Sequence, residues 1–240
     1  MTFDQAEWQI RFEWGSGGVS ELAPVSDVVI VVDVLSFSTC VDIAVSRGAV
    51  VFPYASRDGS LGKYARSKQA HPAEAVRGEL GKFSLSPQSL LSLPSGYRLV
   101  LPSPNGAVLC MAAGSTTTLA GCLRNSRVVA QTAKSLGRTV VVIAAGERWP
   151  DGSLRPCLED LLGAGAILQD LPGHRSPEAE AAIAAFEKFS SQIESALLSC
   201  SSGKELIERG FKSDVRLAAE YNISSTVPIL RDGAFIQFYH

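Results

Sequence analysis

The chain has 240 residues, 46% of them hydrophobic and 19% charged, so it can bury a substantial core and lies far from the composition of a disordered chain. Its 22 basic and 24 acidic residues nearly cancel and are interspersed. No basic stripe is left for nucleic acid, which is excluded as an expected partner.

At the N-terminus, residues 1–12 carry Asp4, Glu7 and Arg11 without an apolar run, unlike a signal peptide or an anchor. The longest uncharged stretch, residues 107–123, is too short and too polar for a bilayer, so no membrane partner is expected. Five cysteines stand far apart without a C-x-x-C pair, which points to reduced thiols and a cytoplasmic location. The three histidines, none at ligand spacing, argue against zinc.

Residues 28–34 are a near-continuous Val and Ile run with Asp33 at the carboxyl end, the pattern of a central parallel strand covered on both faces. Ser36, Ser38 and Thr39 offer N-cap chemistry to a helix over residues 37–47, with Cys40, Val41, Ala44 and Val45 at helical spacing. Gly48 ends that helix and residues 49–54 form the next strand, so the three elements predict a right-handed β-α-β unit. Next come a short strand at 98–101, a turn at Asn105-Gly106 and a short helix at 107–113. A strand at 116–123 leads through Asn125 into a helix at 126–136. Residues 139–144 are the second strongly buried strand, followed by Ala145, Gly146 and Glu147.

After a loop containing Pro and Gly, a helix is expected at 156–169 with Glu159 and Asp160 in its first turns. Residues 173–177 form a break, 178–199 one long amphipathic helix, and 203–222 a second helical stretch. The chain closes on a strand or hairpin at 226–238 around Asp232-Gly233. The fold class is α/β: three layers, α/β/α, with a mostly parallel or mixed sheet and a helical C-terminal portion. One domain over residues 1–240 is expected, with a subdivision near Asp170 as the alternative. A homodimer is the default oligomer.

In open parallel sheets ligands bind beyond the carboxyl ends of the strands. That rule gathers Asp33, Ser36, Ser38 and Thr39 with Ser103, Asn105 and Gly106, then Asn125, Gly146, Glu147, Glu159 and Asp160. Such a set suits a small phosphorylated, anionic substrate with a divalent cation. Mg²⁺ takes one or two carboxylates plus phosphate oxygens and water. Hydroxyls, amides and helix N-termini hold anion oxygens without a basic pocket. Asp33 is the natural first metal ligand or nucleophile, and Glu79, Glu159 and Asp160 complete a metal site or position a water. Each residue also has a plainly structural reading: Asp33, Ser38 and Thr39 as caps, Asn105-Gly106 as a turn, Glu159 and Asp160 as complements to a helix dipole. The functional expectation rests on their joint placement.

Residues 31–39, Val-Val-Asp-Val-Leu-x-x-Ser-Thr, are followed by Arg77-Gly78-Glu79, Ser86-Pro87 and Pro104-Asn105-Gly106. Leu123-Arg124-Asn125, Ala144 to Glu147 as Ala-Ala-Gly-Glu, and Leu-Glu-Asp-x-x-x-Ala-Gly-Ala over 158–166 continue the series. Gly210-Phe211, Asp214 and Val227-Pro228 complete it near the C-terminus. This succession resembles the 2-phosphosulfolactate phosphatase family over nearly the whole chain.

The resemblance implies an Mg²⁺-dependent hydrolase that removes phosphate from 2-phosphosulfolactate to give sulfolactate, a step towards coenzyme M. It implies acidic active-site roles for Asp33, Glu79, Glu159 and Asp160, with Asp33, Glu79 and Asp160 as metal ligands. Ser36, Ser38, Thr39, Ser103, Asn105, Gly106, Asn125 and Gly146 stand as substrate contacts. Three positions depart from the family's usual pattern: Ser36 replaces an Arg, Leu85 an Asn, and Ser103-Pro104 a pair of threonines. A serine cannot replace the bidentate clamp of a guanidinium on an anion.

Two other readings are weaker on this sequence. A haloacid-dehalogenase-type phosphatase needs a second Asp two residues after the first, where Leu35 stands. Nicotinamide dinucleotide binding needs a G-x-G-x-x-G that follows neither buried strand. A binding relative without turnover is the alternative that the change to Ser36 motivates. Direct attack by water and an aspartyl-phosphate on Asp33 are both open.

Overall fold

A computed structural model describes residues 3–55, 59–79 and 81–239. The N-terminal part runs β1 (Ile10–Trp14), α1 (Gly15–Leu22), β2 (Val28–Val32), α2 (Phe37–Ser46), β3 (Val50–Tyr54), α3 (Leu61–Ser67) and β4 (His71–Pro72). The middle runs α4 (Pro87–Leu90), β5 (Arg98–Pro102), α5 (Gly106–Ala112), β6 (Thr117–Gly121), α6 (Ser126–Leu136) and β7 (Val140–Ala144). A small hairpin, β8 (Glu147–Arg148) and β9 (Leu154–Arg155), precedes α7 (Leu158–Leu168). Then come α8 (Pro177–Phe189), α9 (Ile193–Ser199), α10 (Ser201–Glu208), α11 (Lys212–Ala219), β10 (Pro228–Arg231) and β11 (Ala234–Gln237).

Among the described residues nine strands form one mixed sheet in the order β1-β7-β2-β6-β10-β11-β3-β5-β4. The alternation along β2 sends its side chains into two cores. Val28, Ile30 and Val32 meet β1, α6, α7 and α8 on one face, while Val29 and Val31 meet α1, α2 and α5 on the other. All five are fully buried, each contributing roughly 1.5–3 kcal/mol of transfer free energy. This double coverage is why the expected three-layer α/β/α arrangement with a mixed sheet is what forms.

The expected β-α-β unit is corrected. Strands β2 and β3 are not neighbours, because β6 and the C-terminal hairpin β10–β11 lie between them. Strand β10 is antiparallel to β6 and β11 is antiparallel to β3, so the block β3-β5-β4 runs opposite to β1-β7-β2-β6. The residues after β2 and β5 nevertheless meet, as the contacts of Asp33 below show.

Two other expectations shift for local reasons. The long helix over 178–199 is interrupted by a 3₁₀ turn, Ser190–Gln192, where the Ser190 hydroxyl donates to the Glu187 carbonyl oxygen (2.9 Å) and competes with the helix. The stretch over 203–222 splits at Gly210, whose φ is +90°: the Gly210 N–H donates to the Ile207 carbonyl and the Phe211 N–H to that of Leu206. This is a Schellman ending, and it sets Phe211 at a fixed angle to α10. The closing hairpin forms as expected, turning on Asp232 (φ +52°) and Gly233 (φ +77°). Strand β1, helices α1 and α3, and the short strands β4, β8 and β9 went unforeseen. Among the described residues no helix is long and apolar enough to cross a membrane, and all five cysteines are free and buried.

Candidate active site

Asp33 follows β2 directly and is 6% exposed. Its Oδ1 accepts from the Phe37 N–H (3.1 Å), and its Oδ2 from the Gly106 N–H (2.9 Å) and the Ser103 hydroxyl (3.4 Å). One carboxylate therefore joins the first turns of α2 and α5, from opposite blocks of the sheet. Gly106 is required at that approach: a Cβ there would stand 2.3 Å from Phe37 Cδ1 and 2.8 Å from Asp33 Oδ2. The Asn105-Gly106 pair is thus the start of α5 rather than a free turn.

Asp160, in the first turn of α7, is the second buried acid. Its Oδ1 accepts from the Val34 N–H and its Oδ2 from the Gly146 N–H, both at 2.8 Å, so it brackets the ends of β2 and β7. Gly146 holds φ +63°, and a Cβ on it would meet the Arg155 carbonyl oxygen at 2.8 Å. Glu159 beside it is 3% exposed. Glu147 sits half-buried at the end of β7, where the Asn105 amide donates to its Oε2 (2.9 Å).

These acids act on one another. Burial is the main cause that pushes Asp33 up to about 6, with the like charges of Glu147 and Glu159 adding to it against the Phe37 and Gly106 amides. Burial, then Asp33 and then Glu159, hold Asp160 well above the usual carboxylate range. The leading charges felt by both are other carboxylates.

Other expected residues are placed differently. Ser38 and Thr39 are fully buried, and their hydroxyls donate to the carbonyls of Asp33 and Val34 (both 2.8 Å), holding the turn rather than facing a cleft. Asn125 is equally buried: its Oδ1 accepts from the Cys122 N–H (2.9 Å) and its Nδ2 donates to the Thr226 carbonyl (3.1 Å), which locks β6 to the C-terminal segment. Glu79 is exposed and lines a separate cavity with Lys82, Phe211 and Asp214. The expected ligand set of Asp33, Glu79 and Asp160 does not converge. Among the described residues no three His, Cys, Asp or Glu side chains stand where one ion touches them all. Gly78, at φ +87°, separates Glu79 from Arg77, and it is Arg77 that reaches the site.

Arg77 is a side chain of this candidate site that the sequence reading does not single out. Its Nη1 donates to the Ser36 hydroxyl and pairs with the fully buried Asp214, both at 3.2 Å. Ser36 thus meets a guanidinium supplied from another loop. The signal was present in the Arg-Gly-Glu segment, which was credited to its glutamate alone.

Two cavities flank the acids. One, of about 440 Å³, is lined by Asn105, Ala145, Glu147 and Arg148. The other, of about 410 Å³, is lined by Arg77, Ser103, Pro104 and Arg209. A third, of about 540 Å³, lies at the start of β6 beside the β10–β11 turn and holds none of the acids.

A family model described as 2-phosphosulpholactate phosphatase matches residues 19–233, which takes in every residue of this site. The chain belongs to that family. The 2-phosphosulfolactate phosphatase of Methanothermobacter thermautotrophicus (strain Delta H) is 32% identical over 214 residues, covering 87% of this chain and 88% of the relative. Within the 2-phosphosulpholactate phosphatase family, then, this chain has a centre in which Asp33, Asp160, Glu159 and Glu147 are grouped by β2, β7 and α7, with Ser103, Asn105 and Gly106 closing it from β5 and α5.

Proposed function

We propose that this chain hydrolyses 2-phosphosulfolactate to sulfolactate and phosphate, with Mg²⁺ bound among its buried acids. The observation that carries the proposal is the burial of Asp33 and Asp160 beside other carboxylates, which raises both, at neighbouring strand ends within the family-matched stretch. Buried acids raised by one another are a signature of sites that receive a cation or move a proton. Mg²⁺ needs no three-ligand cage, since it keeps waters and substrate oxygens in its shell and takes one or two carboxylates. Asp33 and Asp160, with Glu147 and Glu159 close by, are the residues that would hold it. When bound, the ion supplies charge neutralisation to a phosphoryl group.

The chain's own groups supply the rest. Asp33 is fixed by two backbone N–H groups and a hydroxyl, so no reorganisation is needed to present it. Asp160 holds the carboxyl ends of β2 and β7 at a set spacing through the Val34 and Gly146 amides. Glu147 and Asn105 form a hydrogen-bonded pair on the rim of the adjoining cavity.

The test is to incubate the purified chain with synthetic 2-phosphosulfolactate and Mg²⁺ and count both products. Equal amounts of sulfolactate and phosphate are expected, with kcat reduced at least ~10³-fold in Asp33→Asn. A folded wild type that releases no phosphate, or an Asp33→Asn variant as fast as the wild type, would refute the proposal.

A further inference from the structure

We propose that Arg77 and Arg209 form an anion subsite that selects substrates carrying a second fixed oxyanion beside the phosphate. This rests on the phosphatase reading above and extends it to specificity.

Three observations converge on it. First, both arginines line the same cavity of about 410 Å³. Ser103 lines it too, and the same Ser103 hydroxyl donates to Asp33, so the cavity adjoins the reacting acid. Second, the two guanidinium groups are held by one ring. Phe211 lies 5.8 Å from the Arg77 guanidinium carbon and 5.9 Å from that of Arg209, and cation–π attraction of this kind offsets part of the repulsion between them. The Schellman ending at Gly210 is what aims Phe211 between the two.

Third, Arg77 is braced rather than consumed. Asp214, fully buried, also accepts from the Ser86 hydroxyl (2.8 Å) and the Gln88 N–H (3.0 Å), so its charge is shared among three donors. Arg77 uses Nη1 for both Asp214 and Ser36. Its Nε and Nη2 make no hydrogen bond among the described residues, which leaves the fork that recognises a planar or tetrahedral oxyanion. Among the described residues Arg209, which caps α10, is paired only with Glu205 of that helix (3.1 Å), both well exposed, and such pairs are weak. The acid on the cavity wall, Glu74, is itself matched by Lys82 (3.3 Å), so it does not compete with an anion for the two guanidinium groups.

The ligand class follows. A carboxylate or sulfonate a few bonds from the phosphoester oxygen would sit against the arginines while the phosphate faces Asp33. The serine at position 36, which by itself cannot clamp an anion, is then the acceptor that helps hold Arg77 in place.

Three phosphate esters separate these contributions: 2-phosphosulfolactate, with carboxylate and sulfonate; 2-phospholactate, with carboxylate alone; and glycerol 2-phosphate, with neither. Arg209→Ala, at an exposed position, and Arg77→Lys, which keeps the charge but loses the fork, are the variants. We expect each to lower kcat/KM for 2-phosphosulfolactate at least ten-fold more than for glycerol 2-phosphate, mainly through KM. The 2-phospholactate arm shows whether carboxylate alone draws on the subsite or sulfonate is needed. Equal losses on all three esters, or no loss, would overturn the proposal. Calorimetric binding of sulfolactate itself gives a readout independent of turnover: wild type binding it and Arg209→Ala binding it at least ten-fold more weakly supports the subsite, even should no ester be hydrolysed. Equal binding by the two sinks it.

Discussion

Asp33 is buried and held by two backbone N–H groups and a hydroxyl. Its burial and its carboxylate neighbours raise it from 3.8 to about 6, so the folded chain binds a proton more tightly than the unfolded chain does. The sign follows from linkage: the stability this group contributes is full below pH 3.8 and is lost as pH rises through about 6. Cation-free protein should therefore melt at a lower temperature at pH 7 than at pH 5, and Asp33→Asn should flatten that slope while ending turnover. A melting temperature that rises between pH 5 and pH 7 in chelator would contradict it. Gly106 makes a second prediction of this scale. Gly106→Ala forces the Phe37 ring and the Asp33 carboxylate apart, an overpacking cost of about 1–3 kcal/mol, with activity falling further than stability alone explains. Urea denaturation beside a kinetic assay checks it, and an unperturbed variant would show that the close approach is not needed. The positions of Asp33, Asp160 and Gly106 at strand and helix ends were legible in the sequence because the apolar patterns beside them mark where those elements stop and start. The roles of Ser38, Thr39 and Asn125 were not, because a hydroxyl or amide serves a backbone carbonyl as readily as a ligand, and the sequence does not say which carbonyls lie near.

At the scale of elements, the site depends on how the C-terminal segment ties itself to the sheet. Arg124, after β6, donates from Nε to the fully buried Asp42 of α2 (2.9 Å) and from Nη1 to the Leu217 carbonyl (3.2 Å), and it also pairs with Glu220. The Ser224 hydroxyl donates to the other Asp42 oxygen (2.6 Å). Desolvation raises the pKa of Asp42, with Ser224 and Arg124 opposing it, so removing the arginine leaves a buried acid nearly alone. Arg124→Met should cost about 3–5 kcal/mol in chemical denaturation, and adding Asp42→Asn should restore part of it. Strictly additive losses would mean that the two residues do not form a unit. Elements with long periodic patterns, such as α6 and the run in β2, were readable from spacing alone. The interruption at Ser190 and the short strand β1 were not, because each is decided by a partner: β1 pairs with β7 from Ile10↔Val140 to Trp14↔Ala144, far away in sequence.

For the whole molecule, layer architecture was legible and strand order was not. Alternating strands and helices dictate a covered sheet, but nothing local announces that residues 228–237 insert between β6 and β3. That insertion reverses half the sheet, and the residues after β5 meet those after β2 all the same. The active centre is thus a property of the global topology: Asp33 and Asp160 come from one block, while Ser103, Asn105 and Gly106 come from the start and approach of α5 after the other. The arrangement gathers carboxylates from several elements, and the proposed divalent cation is the partner that would complete it. The most direct measurement is the initial rate of phosphate release from 2-phosphosulfolactate as Mg²⁺ is returned to chelator-treated wild-type protein, run beside Asp33→Asn. A rate that is absent in chelator and rises saturably with Mg²⁺ in the wild type alone is the predicted result. Full activity without Mg²⁺, or a saturating Mg²⁺ response that Asp33→Asn shares, would contradict it.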